Sequence, residues 1–175
     1  MAELIPDSED VATRLCLRCG LCCDGVLFGD VRVGLEDRPE RLLKHGMPLQ
    51  RTEEVWHFDQ PCVALECGAC RIYEDRPSHC RQFECALLQE TLRGRRTEEE
   101  AERAIDRARK LAQTVRDMLV ERGDTNDGVA LSRRYRDFID GQAGGENTAD
   151  FRRKHGSLTV AVMSLNQVLK LSFYT

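Results

Sequence analysis

The sequence predicts an α+β fold. Residues 1–92 are expected to form a small, metal-stapled cysteine-cluster domain with short strands and turns, and residues 93–175 a mainly helical C-terminal region. Three observations carry this prediction. All nine cysteines lie at or before position 85, the short segments with strand-like patterns lie mainly in the first half, and the clearest helical periodicity begins only after residue 96.

The first region alternates short elements with turns. The predicted elements are, in order, turns bracketed by Gly20 and Gly25, a strand over Val26–Val33, a helix over Glu36–His45, a strand over Val55–Phe58, and a helix that starts at Arg76–Pro77 and extends through Leu92. Leu42 and Leu43 are expected to point inward from the first of these helices, and Gly94 to end the second.

The second region is dominated by one long helix, predicted over Thr97–Arg122. Thr97 as the N-cap and Glu100 three residues later form a capping box, and apolar residues then recur on one face. A short helix is predicted over Leu131–Ile139, followed by a loop over residues 141–148. Phe151–Phe173 predicts a terminal helix, although its T-V-A-V segment is also compatible with a strand.

Charge and hydropathy exclude several classes of protein. The formal net charge is −4, with −7 in residues 1–92 and +3 in residues 93–175. Nucleic-acid-binding domains are usually strongly basic, so no nucleic-acid partner is expected. No signal peptide is recognisable at the N-terminus and no apolar run of about 18 residues occurs, so we expect a cytoplasmic protein without a membrane span.

The cysteines form two blocks that indicate metal binding. The first is C-L-R-C-G-L-C-C (Cys16, Cys19, Cys22, Cys23), and the second is C-V-A-L-E-C-G-A-C-x9-C-x4-C (Cys62, Cys67, Cys70, Cys80, Cys85). A C-x2-C spacing brings two sulfurs within reach of one ion. Because disulfides rarely persist in the cytosol and the total is odd, the pattern favours metal ligation over a disulfide framework.

The adjacent pair Cys22-Cys23 constrains the arrangement. Neighbouring side chains point apart, so two vicinal thiolates seldom bind one ion together. The pattern therefore predicts either two four-ligand sites or one polynuclear centre. Thiolates suit Zn(II) and iron–sulfur clusters equally, and the spacing does not distinguish between Zn(II) and iron.

These residues carry a resemblance to a known family. C-x2-C-G-x-C-C, a lone cysteine, and then C-x-I-Y-x2-R-P-x2-C-R-x-F-x-C is similar to the YkgJ-type cysteine-cluster family, whose CxxCxxCC domain is described as zinc- or iron-chelating. The resemblance implies eight metal ligands: Cys16, Cys19, Cys22, Cys23, Cys62, Cys70, Cys80 and Cys85. Cys67 departs from the family pattern, although spacing alone would pair it with Cys70 in a knuckle.

The resulting hypothesis is a metal-binding protein with an eight-cysteine thiolate site that holds Zn(II) or iron, where iron includes an iron–sulfur cluster. Its partners are expected to be metal ions and a protein bound through the helical C-terminal region. Two alternatives stay open. One is an iron–sulfur enzyme or enzyme component related to protein lysine N-methylases, which share the cluster, although no G-x-G-x-x-G loop is present here. The other is metal delivery or storage.

Overall fold

The computed structural model describes residues 8–52, 55–142 and 148–174, and it confirms the α+β class with a helical C-terminal part. The elements are α1 (Ser8–Cys19), β1 (Asp30–Val33), α2 (Pro39–Lys44), β2 (Gln50–Thr52), β3 (Val55–Asp59), β4 (Leu65–Glu66), β5 (Ala69–Cys70), α3 (Ser78–Gln82), α4 (Ala86–Leu92), α5 (Glu98–Val120), α6 (Leu131–Gln142) and α7 (Thr148–Ser172).

Two small antiparallel sheets follow the first cysteine block: the larger lies between the two blocks and the smaller lies within the second block. The larger has the strand order β1-β3-β2, with Val31 opposite Phe58 and Arg51 opposite Trp56. The smaller is the β4–β5 hairpin, whose turn residues Cys67 and Gly68 have φ values of 49° and 82°. A compact core covers one face of the larger sheet; its buried residues are Val31, Val33, Leu42, Met47, Phe58, Ala64 and Ile72.

The helical part is organised around α5, which packs against α1 and α7. The predicted capping box is present: the Glu100 N–H donates to Thr97 Oγ1 at 3.2 Å, and the Thr97 N–H donates to Glu100 Oε2 at 2.9 Å. The apolar face of α5 is buried through Ala101, Ile105, Ala108, Ala112, Val115 and Leu119. This face forms the larger core together with residues of α1, α4, α6 and α7.

The first cysteine block contributes to this larger core. Leu15 and Leu21 are buried in it, and so are Val26 and Leu27. Residues 26–29 therefore turn into the helical core, which explains why β1 begins at Asp30 and not at the predicted Val26. The proposed boundary at residue 92 stays a prediction.

Three further details differ from the sequence predictions. Leu42 is fully buried, whereas Leu43 is exposed. The six-residue helix α2 buries only the face that carries Pro39 and Leu42. The helix predicted after Pro77 is interrupted at Phe83, whose backbone is extended, and α4 restarts after Cys85. The T-V-A-V segment is helical throughout.

The predicted loop over residues 141–148 is shorter than expected, since residues 141, 142 and 148 belong to helices. Its centre, residues 143–147, lies outside the described residues. Among the helices that the structure describes, none combines the length and apolar character required to cross a bilayer.

Candidate metal centre

The eight cysteines implied by the family pattern lie on four local structures. Cys16 and Cys19 occupy the last turn of α1, and Cys22 and Cys23 lie in the turn that follows. The other four are Cys62 after β3, Cys70 on β5, Cys80 on α3, and Cys85 at the N-cap of α4. All nine cysteines of the chain are free thiols.

The turn after α1 is shaped by two glycines. Gly20 ends the helix with φ 66°, a left-handed conformation that glycine adopts without strain. The chain then reverses so that the backbone of Leu21 hydrogen-bonds to the Cys19 sulfur. At Gly25, with φ 78°, a Cβ atom would lie 3.0 Å from the Ala130 Cα, so the turn packs closely against the segment before α6.

The first group of thiols consists of Cys16, Cys19, Cys22 and Cys85. Burial is the main cause of the raised pKa values of Cys16, Cys19 and Cys22, and the nearby Cys85 thiolate raises all three further. Burial also raises the pKa of Cys85, against backbone hydrogen bonds from the start of α4 that lower it. Cys19, Cys22 and Cys85 pack against the larger, helical core.

The second group consists of Cys23, Cys62, Cys70 and Cys80. Burial raises the pKa of Cys23 to about 12, and the thiolates of Cys62 and Cys70 add to this effect. Burial likewise raises the pKa of Cys80 to about 12, with further contributions from the other three. Cys62, Cys70 and Cys80 pack against the sheet core.

The two groups meet at the adjacent residues Cys22 and Cys23. The pKa of Cys22 is raised by Cys19 and by its neighbour Cys23, and then by Cys85 and Cys16, whereas the pKa of Cys23 is raised mainly by Cys62 and Cys70. The Cys62 N–H donates to the Cys23 carbonyl at 2.7 Å, which fixes the second block against the first. Cys16 lies near enough to raise the pKa of Cys23, so the two groups are close neighbours.

One cation lies close to both groups. The Arg76 guanidinium stacks on the Tyr73 ring, with Cζ 3.6 Å from the ring centroid, and its Nε donates to the Tyr73 carbonyl at 3.0 Å. Its charge partly opposes the effect of burial on the pKa of Cys16 in the first group and of Cys80 in the second. Arg76 is thus fixed where it can offset thiolate charge in either group.

A buried carboxylate that the sequence did not single out positions Cys80. The Asp37 side chain is completely buried and accepts hydrogen bonds from the Ser78 N–H at 2.6 Å, from Ser78 Oγ at 3.1 Å and from the Gly34 N–H at 3.0 Å. These bonds fix the first turn of α3, which carries Cys80. Asp37 and Ser78 are far apart in sequence, so no local pattern could reveal this contact.

A second unpredicted contact fixes the turn that carries Cys22 and Cys23. Arg116 of α5 contacts both the side chain and the carbonyl oxygen of Asp24 at 3.1 Å. Burial raises the pKa of Asp24, and Arg116 opposes that shift. The turn is therefore attached to the central helix through a partly buried ion pair.

Cys67 belongs to neither group. It is exposed at the tip of the β4–β5 hairpin, while Cys70 follows on β5 with its side chain half-buried. The C-G-A-C segment forms a hairpin turn with two consecutive left-handed residues, Cys67 and Gly68. A metal knuckle formed by Cys67 and Cys70, which the spacing alone suggests, stays a prediction.

The chemistry of the donors fits two four-thiolate metal sites. Each group supplies four sulfurs, which is the number that tetrahedral zinc and common iron–sulfur sites use. Among the described residues, however, no three His, Cys, Asp or Glu side chains are arranged so as to hold an ion. Ligation therefore requires side-chain adjustment, for which rotation about the single χ1 of each cysteine is available.

Comparison with known families agrees with this description. Residues 15–110, more than half of the chain, match the model of the CxxCxxCC family, described as a "putative zinc- or iron-chelating domain". No curated protein and no solved structure matches the chain significantly. The matched segment contains both cysteine blocks, the sheets, and α4 with the first half of α5. The chain therefore belongs to the CxxCxxCC family of zinc- or iron-chelating domains.

Proposed function

We propose that the protein binds metal through eight cysteines arranged as two four-thiolate sites. Cys16, Cys19, Cys22 and Cys85 form the first site. Cys23, Cys62, Cys70 and Cys80 form the second. The observation that supports the proposal is the pattern of electrostatic effects among the thiols: Cys85 and Cys16 act on Cys22, Cys62 and Cys70 act on Cys23, and Cys23, Cys62 and Cys70 act on Cys80.

The two sites connect segments that are distant in the chain. The first links the end of α1 to the start of α4, beside the helical core. The second links the turn after α1 to the β3–β4 connection, to β5 and to α3, beside the sheet core. Metal ligation contributes folding free energy in small thiolate domains, so we assign both sites a structural role.

Backbone amides at the sites support thiolate ligation. Backbone hydrogen bonds lower the pKa of three thiols and so oppose the dominant effect of burial. They come from Leu21 to Cys19, from Ala64 and Leu65 to Cys62, and from the start of α4 to Cys85. A metal ion adds positive charge where these amides already favour a negative sulfur. We place the protein in the cytoplasm, whose reducing environment keeps cysteines available for metal binding.

The bound species is Zn(II) or iron, and one experiment distinguishes them. Protein prepared without oxygen is analysed for zinc, iron and acid-labile sulfide, and its absorption spectrum is recorded. Two equivalents of zinc in a colourless sample would support two structural zinc sites and exclude an iron–sulfur enzyme. Iron with matching sulfide and a visible charge-transfer band would support iron–sulfur clusters. Less than one metal per chain of any kind would contradict the proposal.

A further inference from the structure

The two residues that follow α7, Phe173 and Tyr174, lie beside the first thiol group. Phe173 is 1% exposed and is part of the helical core. Three thiols of the first group, Cys19, Cys22 and Cys85, pack against that same core. Tyr174 is 46% exposed, so its side chain is partly in contact with the protein and partly in solvent. These two residues therefore lie where the first group approaches the surface.

The backbone of Phe173 holds the helix that carries Cys85. Cys85 is the N-cap of α4, and the Ala86 N–H, the first amide of that helix, donates to the Phe173 carbonyl at 3.1 Å. The first amides of a helix have no partner within the helix, so this carbonyl satisfies a group that would otherwise lack one. Movement of Phe173 would therefore loosen the start of α4 and, with it, the position of Cys85.

The side chain of Tyr174 lies against the other segment that supplies this group. Its hydroxyl is 3.4 Å from the Leu27 carbonyl oxygen. The Leu27 N–H in turn donates to the carbonyl of Leu21, the residue before Cys22, at 3.0 Å. Burial, and then the Cys22 thiolate, raise the pKa of the Tyr174 hydroxyl, as expected for a phenol close to that sulfur. Phe173 and Tyr174 thus connect the segments that carry Cys85 and Cys22.

The second thiol group lies away from these contacts. In the described part of the chain, the hydrogen bonds of Phe173 and Tyr174 run to α7, to the start of α4 and to Leu27, all of which belong to the helical half. The thiols of the second group pack instead against the sheet core. A change at Tyr174 should therefore affect the first group and leave the second as an internal reference.

We propose that Phe173 and Tyr174 form a cover over the first metal site, which limits the exchange of its metal with ligands in solution. The inference rests on the two-site arrangement proposed above. The Phe173 carbonyl holds the start of α4 in place, and the Tyr174 ring shields the side of Cys22. The metal leaves when the cover opens, and such an opening is a local event that does not require the protein to unfold.

Release of metal to a competing chelator tests the proposal on the full, metal-loaded chain. Protein prepared without oxygen is mixed with excess EDTA, and the metal that stays bound is measured at intervals by elemental analysis after desalting. The variants are Tyr174→Ala, Tyr174→Phe, which keeps the ring, and the control Leu171→Ala, which shortens a 72% exposed side chain three residues earlier. Each is measured in a Cys23→Ser background, which keeps the first site, and in a Cys22→Ser background, which keeps the second.

The expected result is faster release from the first site alone. In the Cys23→Ser background, Tyr174→Ala should release metal at least about fivefold faster than the background protein, and in the Cys22→Ser background it should change the rate by less than about twofold. Tyr174→Phe should lie closer to the unchanged residue than to alanine, and Leu171→Ala should have no effect on either site. Circular dichroism and the initial metal content check each variant, and Tyr174→Val replaces Tyr174→Ala if that variant does not fold.

Four results would overturn the proposal. They are an unchanged release rate from the first site in Tyr174→Ala, equal acceleration at both sites, equal acceleration by Leu171→Ala, or release from Tyr174→Phe as fast as from Tyr174→Ala. Complete loss of metal from both the Cys22→Ser and the Cys23→Ser backgrounds is a separate failure, because it would contradict the two-site arrangement itself and this inference with it. Two retained sites with unaltered release rates would contradict the cover alone.

Discussion

The helical core and the sheet core are built in different ways. Helices α5 and α7 are 23 and 25 residues long and bury continuous apolar faces against each other. The sheet core rests on strands of three to five residues and a helix of six, and half-buried cysteines complete its edge. A long helix forms its backbone hydrogen bonds within itself and buries one continuous apolar face, whereas a short strand depends on distant segments for both its hydrogen bonds and its packing. The comparison implies that bound metal contributes more to the stability of the sheet core, the smaller of the two, than to the stability of the helical core.

Metal removal is expected to produce the largest difference between the two regions. After chelation under reducing conditions, amide hydrogen exchange should become fast in β1, β3 and β5, because the second site no longer fixes their connections. The amides of α5 between residues 101 and 119 should keep most of their protection. Equal protection of the sheet before and after chelation would contradict the structural role of the metal.

A change of pH should separate the metal-free and metal-loaded proteins. Burial raises the pKa of Cys19, Cys23 and Cys80 from 9.0 to about 12 in the folded chain. The unfolded chain loses these protons first, so the stability that the metal-free protein retains should be highest below pH 9 and should fall between about pH 9 and 12. The loaded protein should behave oppositely, because protons compete with the metal as the pH falls.

Urea denaturation at pH 8, 9 and 10 measures this dependence for the metal-free protein. The midpoint is expected to fall at each step, and Cys19→Ala should reduce the slope because it removes one buried thiol. A midpoint that stays constant over this range would show that the thiols are not held protonated by the fold.

Loss of the buried carboxylate should affect the sheet region more than the helices. Asp37→Ala removes three hydrogen bonds to Gly34 and Ser78, and we expect the free energy of unfolding of the sheet core to fall by about 2 kcal/mol. Hydrogen exchange in β1 and β3 measures the change. Asp30→Ala, an exposed residue of β1, is the matched control. Equal effects of the two substitutions would show that the hydrogen bonds of Asp37 do not stabilise the sheet core.

The smallest effect is expected at the start of α5. Thr97→Ala removes the capping box, and the free energy of unfolding of the helical core should fall by about 1 kcal/mol. Thermal denaturation compares it with Thr125→Ala, an exposed threonine outside the helices. The content of bound metal should not change. A loss of metal would show that metal binding depends on the stability of the helical core.

The sequence predicted the helical region better than the cysteine region for a physical reason. The capping box and the apolar periodicity of α5 are local, so the predicted Thr97–Arg122 and the observed Glu98–Val120 nearly coincide. The strand at Val26 was predicted too long, because only the tertiary fold shows that Val26 and Leu27 turn into the helical core.

The candidate metal site shows the same difference between local signals, which the sequence reveals, and long-range contacts, which it does not. The cysteine spacing and the adjacency of Cys22 and Cys23 predicted multiple thiolate ligation, and two sites were one of the alternatives. Spacing could not state which cysteine joins which group, because the partners of Cys22 and Cys23 come from separate elements. Asp37 and Arg116 could not be found from the sequence, since their contacts join residues distant in the chain.

Metal stoichiometry of paired cysteine variants tests the two-site arrangement most directly. Cys22→Ser and Cys23→Ser should each lose about half of the bound metal, and Cys67→Ser none. Adding Cys85→Ser to Cys22→Ser should remove no more, because both belong to the first group, whereas adding Cys80→Ser should remove the rest. If Cys22→Ser and Cys23→Ser each release all of the metal, the eight thiols hold one shared centre and the two-site account is wrong.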